Sequence, residues 1–143
     1  GNGIMEKSIS ELISESDPLF YVIECMPNMI SPELITTNTI PLVDTLRKRN
    51  PDTPIILVDL FTTSHTILDN TLDNLKNEMN NTLNNEYQKM IQRGYKNIIY
   101  LESKNALGDD FEGTVDGVHF TDLGFIRYSD YLLNHFYEYN LIK

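Results

Sequence analysis

The chain has 143 residues, of which 41% are hydrophobic and 22% charged, which is the composition of an ordinary globular domain with a core of its own. Its formal net charge is −10 and no Lys/Arg stripe offsets it, which argues against a nucleic acid or a strongly anionic membrane surface as a partner. No apolar stretch reaches the ~18 residues that a membrane span needs, and the single Cys25 allows no intrachain disulfide.

The first half of the chain alternates helical periods with short apolar runs. A first helix is predicted over residues 3–14, and residues 19–26 read as a strand that is covered on both faces. A second helix is predicted from the N-cap Ser31 to about residue 49, with a kink or restart at Pro41, and residues 53–60 form a second buried strand. The apolar stripe of the first helix consists of Met5, Ile9, Leu12 and Ile13.

The second half continues the alternation and ends on a helix. Residues 61–66 predict a loop, 67–93 a long helix, 97–101 a third strand, 103–118 a polar loop and 121–139 a final helix. This order predicts βαβ units, a parallel sheet and, because a crossover normally starts from a strand, a truncated N-terminus. The apolar repeat of the long helix is Leu68, Leu72, Leu75 and Met79. The final helix is predicted to face inward with Phe125, Ser129, Leu132, Leu133 and Phe136.

The loop before the final helix carries the sharpest candidate chemistry. Asp116 lies three residues before His119, and a carboxylate that orients an imidazole is what a general base requires. On spacing alone, an Asp that caps the turn beside a partly exposed His is the alternative. A metal pair is a lesser one, because no third ligand is evident.

Three other loops lie where sites form in open α/β sheets, outside the carboxyl ends of strands. Asn28 follows the first strand, and its amide can either donate to an oxyanion or simply close a turn. Gly1 and Gly3 precede a helix N-terminus, where free N–H groups favour negative charge. The alternatives are a flexible lead-in to the helix and a phosphate site, for which Gly-x-Gly alone is a weak signal. Ser64 and His65 lack an acidic partner in the sequence, which predicts a surface loop or the wall of a substrate site.

Taken together, these segments resemble the SGNH hydrolases, also called GDSL-like lipases and acylhydrolases, from residue 1 to about residue 136. The resemblance implies a single domain over residues 1–143, a three-layer α/β/α sandwich with a flavodoxin-like parallel sheet. It implies hydrolysis of a carboxylic ester without a metal or organic cofactor. Its motifs place His119 as the base, Asp116 as its orienting carboxylate, and Gly1 and Asn28 as oxyanion-hole donors.

The sequence departs from the family pattern at the nucleophile. The family's Ser stands in a Gly-Asp-Ser-like motif after the first strand, and no such motif occurs here. The resemblance therefore places the Ser upstream of this chain and leaves it without its first strands. A small or carbohydrate ester is the expected substrate, since no long apolar lid is visible. The rival interpretation is a non-catalytic α/β module that binds a ligand or partner.

The predicted absence of the first strand bears on association. In the family fold that strand lies beside the one formed here by residues 19–26. Its loss would leave a hydrophobic edge without Lys or Pro to discourage pairing, so a homodimer through residues 19–26 is predicted.

Overall fold

The fold is described from a computed structural model, which covers residues 2–143. These residues form two compact units. The sheet unit runs to Asp59 and includes Glu78–Leu101, and the loop unit comprises Leu60–Asn77 and Glu102–Lys143. The elements in chain order are α1 (Lys7–Ile13), β1 (Tyr21–Ile23), a 3₁₀ turn (Met26–Asn28), α2 (Pro32–Arg49), β2 (Ile55–Val58), α3 (Ser64–Leu68), α4 (Asn70–Gln92), β3 (Ile98–Leu101) and α5 (Asp122–Glu138).

A parallel sheet forms the centre of the sheet unit. Its strand order is β1-β2-β3, and Ile56 of β2 pairs with Val22 on one side and Ile99 on the other. All four residues of β2 are buried, as the aliphatic run of a central parallel strand requires. The prediction of an α/β fold with a parallel sheet is therefore confirmed.

Helix α2 begins as predicted and is not interrupted. The Ser31 side chain accepts a hydrogen bond from the Leu34 N–H, and Pro32 occupies the first helical position. Pro41 lies inside the helix, which continues to Arg49. The predicted kink or restart at Pro41 does not end the helix, because proline removes only one backbone donor from a long ladder of hydrogen bonds.

Helix α1 differs from its prediction at both its start and its buried face. It begins at Lys7 rather than Gly3, because Gly3 and Met5 have positive φ angles of 64° and 57° that no helix accommodates. The buried residue of the helix is Ser10, and its C-cap Ser14 is buried as well. Their hydroxyls donate to helix carbonyls, so the small side chains are buried without an unpaired polar group. Leu12, in contrast, is 63% exposed.

The loop unit contains a helix where a loop was predicted. A cap between Thr63 and Thr66 starts α3, in which the Thr63 N–H donates to the Thr66 hydroxyl at 3.1 Å. The extended backbone of Asp69 separates α3 from α4. Residues 67–93 are thus not one helix, and Leu68 is exposed rather than part of an apolar face.

Helix α5 is capped by Thr121, as predicted, but it buries other residues. The Thr121 hydroxyl accepts from the Gly124 N–H, and the buried positions of the helix are Gly124 and Tyr128. Phe125 and Leu133, predicted to face inward, are exposed. The spacing of apolar residues correctly predicted the helix, but it did not predict which face of the helix is buried.

Candidate functional site

Asp116 and His119 form a hydrogen-bonded pair in the loop unit. His119 Nδ1 lies 2.7 Å from Asp116 Oδ2. The other carboxylate oxygen accepts the backbone N–H groups of His119 at 2.8 Å and of Val118 at 3.0 Å. These backbone hydrogen bonds, together with the bond to the His119 ring, hold the pKa of Asp116 well below its usual range. In a neutral imidazole, an ionised Asp116 favours the tautomer with the proton on Nδ1, which leaves Nε2 with its lone pair.

A short closed loop presents this pair at its tip. The Val115 N–H donates to the His119 carbonyl at 2.8 Å, and Thr114 and Phe120 form an antiparallel bridge just below. The Thr121 hydroxyl donates to the Glu112 carbonyl at 2.7 Å. The loop is therefore fixed by its own backbone and by the helix cap that follows it.

Glycine at position 124 lets the loop lie directly on α5. A Cβ there would stand 1.9 Å from the Gly113 carbonyl oxygen, which is backbone and cannot turn aside. A fork of hydrogen bonds adds a second anchor: the Arg127 guanidinium bonds both oxygens of Asp110, at 2.5 and 2.6 Å, and the Leu107 carbonyl at 2.9 Å. The Arg127 hydrogen bonds lower the pKa of Asp110 to about 2.

Aromatic rings pack beneath the loop. The Phe120 ring lies 5.2 Å from that of Phe61 and 5.0 Å from that of Tyr128, and Phe61 and Tyr128 are both buried. Phe120 directly follows His119 in the chain. The packing of Phe120 therefore anchors the backbone next to His119, while the His119 imidazole stays exposed.

His65 is the residue whose position the sequence did not reveal. Its ring lies against Gly117, so that Nδ1 stands 2.3 Å from the place where a Cβ on Gly117 would be. Gly117 also has a φ of 84°, a conformation that favours glycine. The available signal in the sequence was Gly117, between Asp116 and His119. A glycine there is compatible with a close contact, but the sequence does not indicate which side chain makes it.

Asn28 occupies the last position of the 3₁₀ turn in the sheet unit. Its N–H donates to the Cys25 carbonyl at 2.9 Å, and its side-chain amide lies against Gly3. A Cβ on Gly3 would stand 2.2 Å from the Asn28 Nδ2 atom. Among residues 2–143 no acceptor takes a hydrogen bond from this exposed amide, which leaves it free to donate to a ligand.

The predicted donor Gly1 lies outside the described residues. Asn28 belongs to the sheet unit and His119 to the loop unit, and their predicted meeting stays a prediction. In the part of the chain that the structure covers, no group of three His, Cys, Asp or Glu side chains is arranged to hold a metal ion. None of the described helices has the length and apolar character to cross a membrane.

A cavity of about 380 Å³ lies beside β1 in the sheet unit, and a partly buried acid lines it. Val22, Glu24 and Cys25 contribute to its wall together with apolar residues of α1 and α2. Burial raises the pKa of Glu24 to about 7, and its Oε1 atom is shielded from solvent without a hydrogen-bond partner among the described residues. Burial, and after it the charge of Glu24, also raises the pKa of the Cys25 thiol.

Comparison with known proteins places the chain among the lipases that the motifs resemble. A profile of the GDSL-like lipase/acylhydrolase family matches residues 1–136. The solved structure of a candidate GDSL-like lipase from Bacteroides ovatus is 32% identical over 99% of this chain, with a TM-score of 0.93. The salicylyl-acyltransferase SsfX3 from a tetracycline biosynthetic pathway shares the fold over 90% of the chain, with a TM-score of 0.75 at 13% identity.

The match covers only part of each relative. The chain spans 42% of the Bacteroides ovatus protein and 40% of the acyltransferase. None of the curated proteins searched gives a significant match.

Proposed function

The chain belongs to the GDSL-like lipase/acylhydrolase family, and from this membership we propose that the protein containing it hydrolyses a carboxylic ester through an acyl-serine intermediate. The family supports ester hydrolysis as the general reaction class. The proposal adds the mechanism, the residues and the substrate, and it treats residues 1–143 as part of one catalytic domain.

The 2.7 Å contact between His119 Nδ1 and Asp116 Oδ2 carries the proposal. With Nδ1 protonated against the carboxylate, Nε2 of His119 accepts the hydroxyl proton as the serine oxygen attacks the ester carbonyl. The same Nε2 then returns the proton to the departing alcohol. Water repeats the sequence on the acyl-serine, which releases the acid and restores the serine.

The nucleophile and the oxyanion donors complete the proposed site. The serine lies outside residues 1–143, because no Ser here stands in the family's nucleophile motif. Asn28 and Gly1 donate hydrogen bonds to the oxygen that becomes negative in the tetrahedral intermediate. The Asn28 amide donates to no acceptor among residues 2–143, which supports this role. A small or carbohydrate ester is the proposed substrate.

The test compares the complete protein with two His variants on 4-nitrophenyl acetate. His119→Ala is expected to lower kcat by ~10³-fold or more, because the members of a catalytic triad act as a unit. His135→Ala serves as the matched control, since its ring bonds Glu138 at 3.0 Å near the end of α5. Loss of activity in both variants, or in neither, contradicts the assignment of His119.

A second experiment separates the enzyme from a non-catalytic binding module, an alternative that stays open because this chain lacks the family's nucleophile motif. The 143-residue chain alone is expected to be inactive and the complete protein active. Normal turnover by the chain alone would contradict a serine supplied from elsewhere and would point to Ser64. An inert complete protein that still binds an ester analogue would support the binding module.

A further inference from the structure

The His65 imidazole lies on the loop that carries the Asp116–His119 pair. Its contact is the Gly117 backbone between those two residues, which admits the ring only because no Cβ is present. Both partners belong to the loop unit. A side chain from α3 is thus held at the tip of the loop.

No structural task accounts for this imidazole. His65 is exposed, and neither ring nitrogen has a hydrogen-bond partner among residues 2–143. Helix α3 does not need it either, because the cap between Thr63 and Thr66 starts the helix. A ring that is placed by a glycine and left with two unpaired nitrogens is equipped to bind a ligand.

We propose that His65 is a specificity-determining residue that contacts the alcohol part of the ester and favours an alcohol with free hydroxyl groups, such as a sugar. The inference rests on the proposed function. His119 delivers its proton to the leaving alcohol, so the surface beside His119 on this loop is where the alcohol departs. Gly117 is two residues from His119 on this loop, and the His65 ring lies on Gly117. A group of the alcohol that extends from His119 along the loop would meet this ring. A neutral imidazole offers one donor and one acceptor, which suits a hydroxyl group.

The experiment uses the complete protein and two esters that share an acetyl group. One is an O-acetylated methyl xyloside, whose alcohol carries hydroxyls, and the other is 4-nitrophenyl acetate, whose alcohol carries none. His65→Ala is expected to lower kcat/KM for the xyloside ester about 10-fold, mainly through KM, since it removes hydrogen bonds to the alcohol. The same variant should stay within about 2-fold of the unmodified protein on the nitrophenyl ester, as no hydroxyl is lost there.

Two further variants make the result specific. His65→Gln keeps a donor and an acceptor and is expected to restore part of the affinity for the xyloside ester. His135→Ala is expected to leave the kinetics on both esters unchanged, because the His135 ring bonds Glu138 near the C-terminal end of α5.

Each remaining outcome overturns the proposal. Equal losses on both esters would show that His65 supports the loop and does not recognise the alcohol. Unchanged kinetics on both esters, or a complete protein that cleaves only the nitrophenyl ester, would exclude selection of hydroxyls. A complete protein inactive on every ester tested would overturn the proposed function and this inference with it.

Discussion

The two candidate halves of the site are held by opposite means. Asp116 and His119 are three residues apart, and the hydrogen bonds that position them come from the same short loop and its helix cap. Asn28 and Gly3 are separated by a helix and a strand, and they meet only because the sheet unit folds. The comparison teaches that a local hydrogen-bond pattern is readable in a sequence, whereas a contact between distant segments is not.

Asp116→Asn attacks the local half and should have the largest effect. An amide at position 116 keeps an oxygen for the backbone N–H groups but presents an N–H to His119 Nδ1. The imidazole then carries its proton on Nε2 and no longer acts as a base, so kcat should fall by ~10³–10⁴-fold in the complete protein. Steady-state kinetics measure this loss of kcat, with Asp130→Asn, on the exposed surface of α5, as the control. Full activity in the Asp116→Asn variant would show that Asp116 only stabilises the turn through its backbone hydrogen bonds.

Gly3→Ala attacks the long-range half, and Gly94→Ala is its matched control. Both glycines have positive φ angles, of 64° and 83°, so alanine costs about 1 kcal/mol of backbone strain at either position. Only at Gly3 does the new Cβ strike a side chain, the Asn28 amide, while Gly94 has open space around it. If Asn28 is an oxyanion donor, Gly3→Ala should lower kcat by ~10²-fold and Gly94→Ala should not. Equal kinetics in the two variants would remove Asn28 from the site.

Glu24→Gln sharpens the comparison through pH, because the two units hold acids with opposite shifts. The pKa of Glu24 is raised to about 7 by burial, so the folded state binds more protons than the unfolded one between about pH 4 and 7. Stability should fall as pH rises through that window. Asp110, with its pKa of about 2, contributes stability above about pH 4 that is lost on acidification towards pH 2.

The measurement is the urea unfolding midpoint at about pH 5 and about pH 8, on either side of the Glu24 titration. Glu24→Gln should remove the loss of stability between these values, and Glu33→Gln, on the exposed side of α2, should retain it. A wild-type midpoint that does not fall over this range would show that Glu24 is solvated in solution.

The free edge of β1 gives the smallest expected effect. In the described sheet β1 pairs only with β2, and both Leu19, just before the strand, and Val22, within it, are exposed. We propose, on this basis, that the 143-residue chain self-associates through residues 19–26 at micromolar concentration. Val22→Lys should shift light scattering towards the monomer, whereas Ile91→Lys, on the exposed face of α4, should not. A monomeric chain with residues 19–26 protected from amide exchange would exclude this edge as the interface.

Local signals in the sequence predicted the described strands, the starts of two helices and the contact within the Asp116–His119 loop. Aliphatic runs identified all three strands, and the caps at Ser31 and Thr121 located the starts of α2 and α5, since these signals depend on neighbours within a few residues. The contact between Asp116 and His119 was predictable for the same reason. Their catalytic roles stay predictions that the experiments above decide.

Packing within each unit fixes which faces are covered and which distant groups meet. Helix α1 buries Ser10, and its C-cap Ser14 is also buried, while Leu12 is exposed. This arrangement is set by what packs on the helix and not by its hydrophobic period. The ring of His65 on Gly117 and the amide of Asn28 on Gly3 each join segments more than twenty residues apart. A glycine in the sequence can indicate that another group packs closely against the backbone at that position. Which side chain approaches is fixed by the packing of the whole unit, because contact between distant segments has no local pattern to record it.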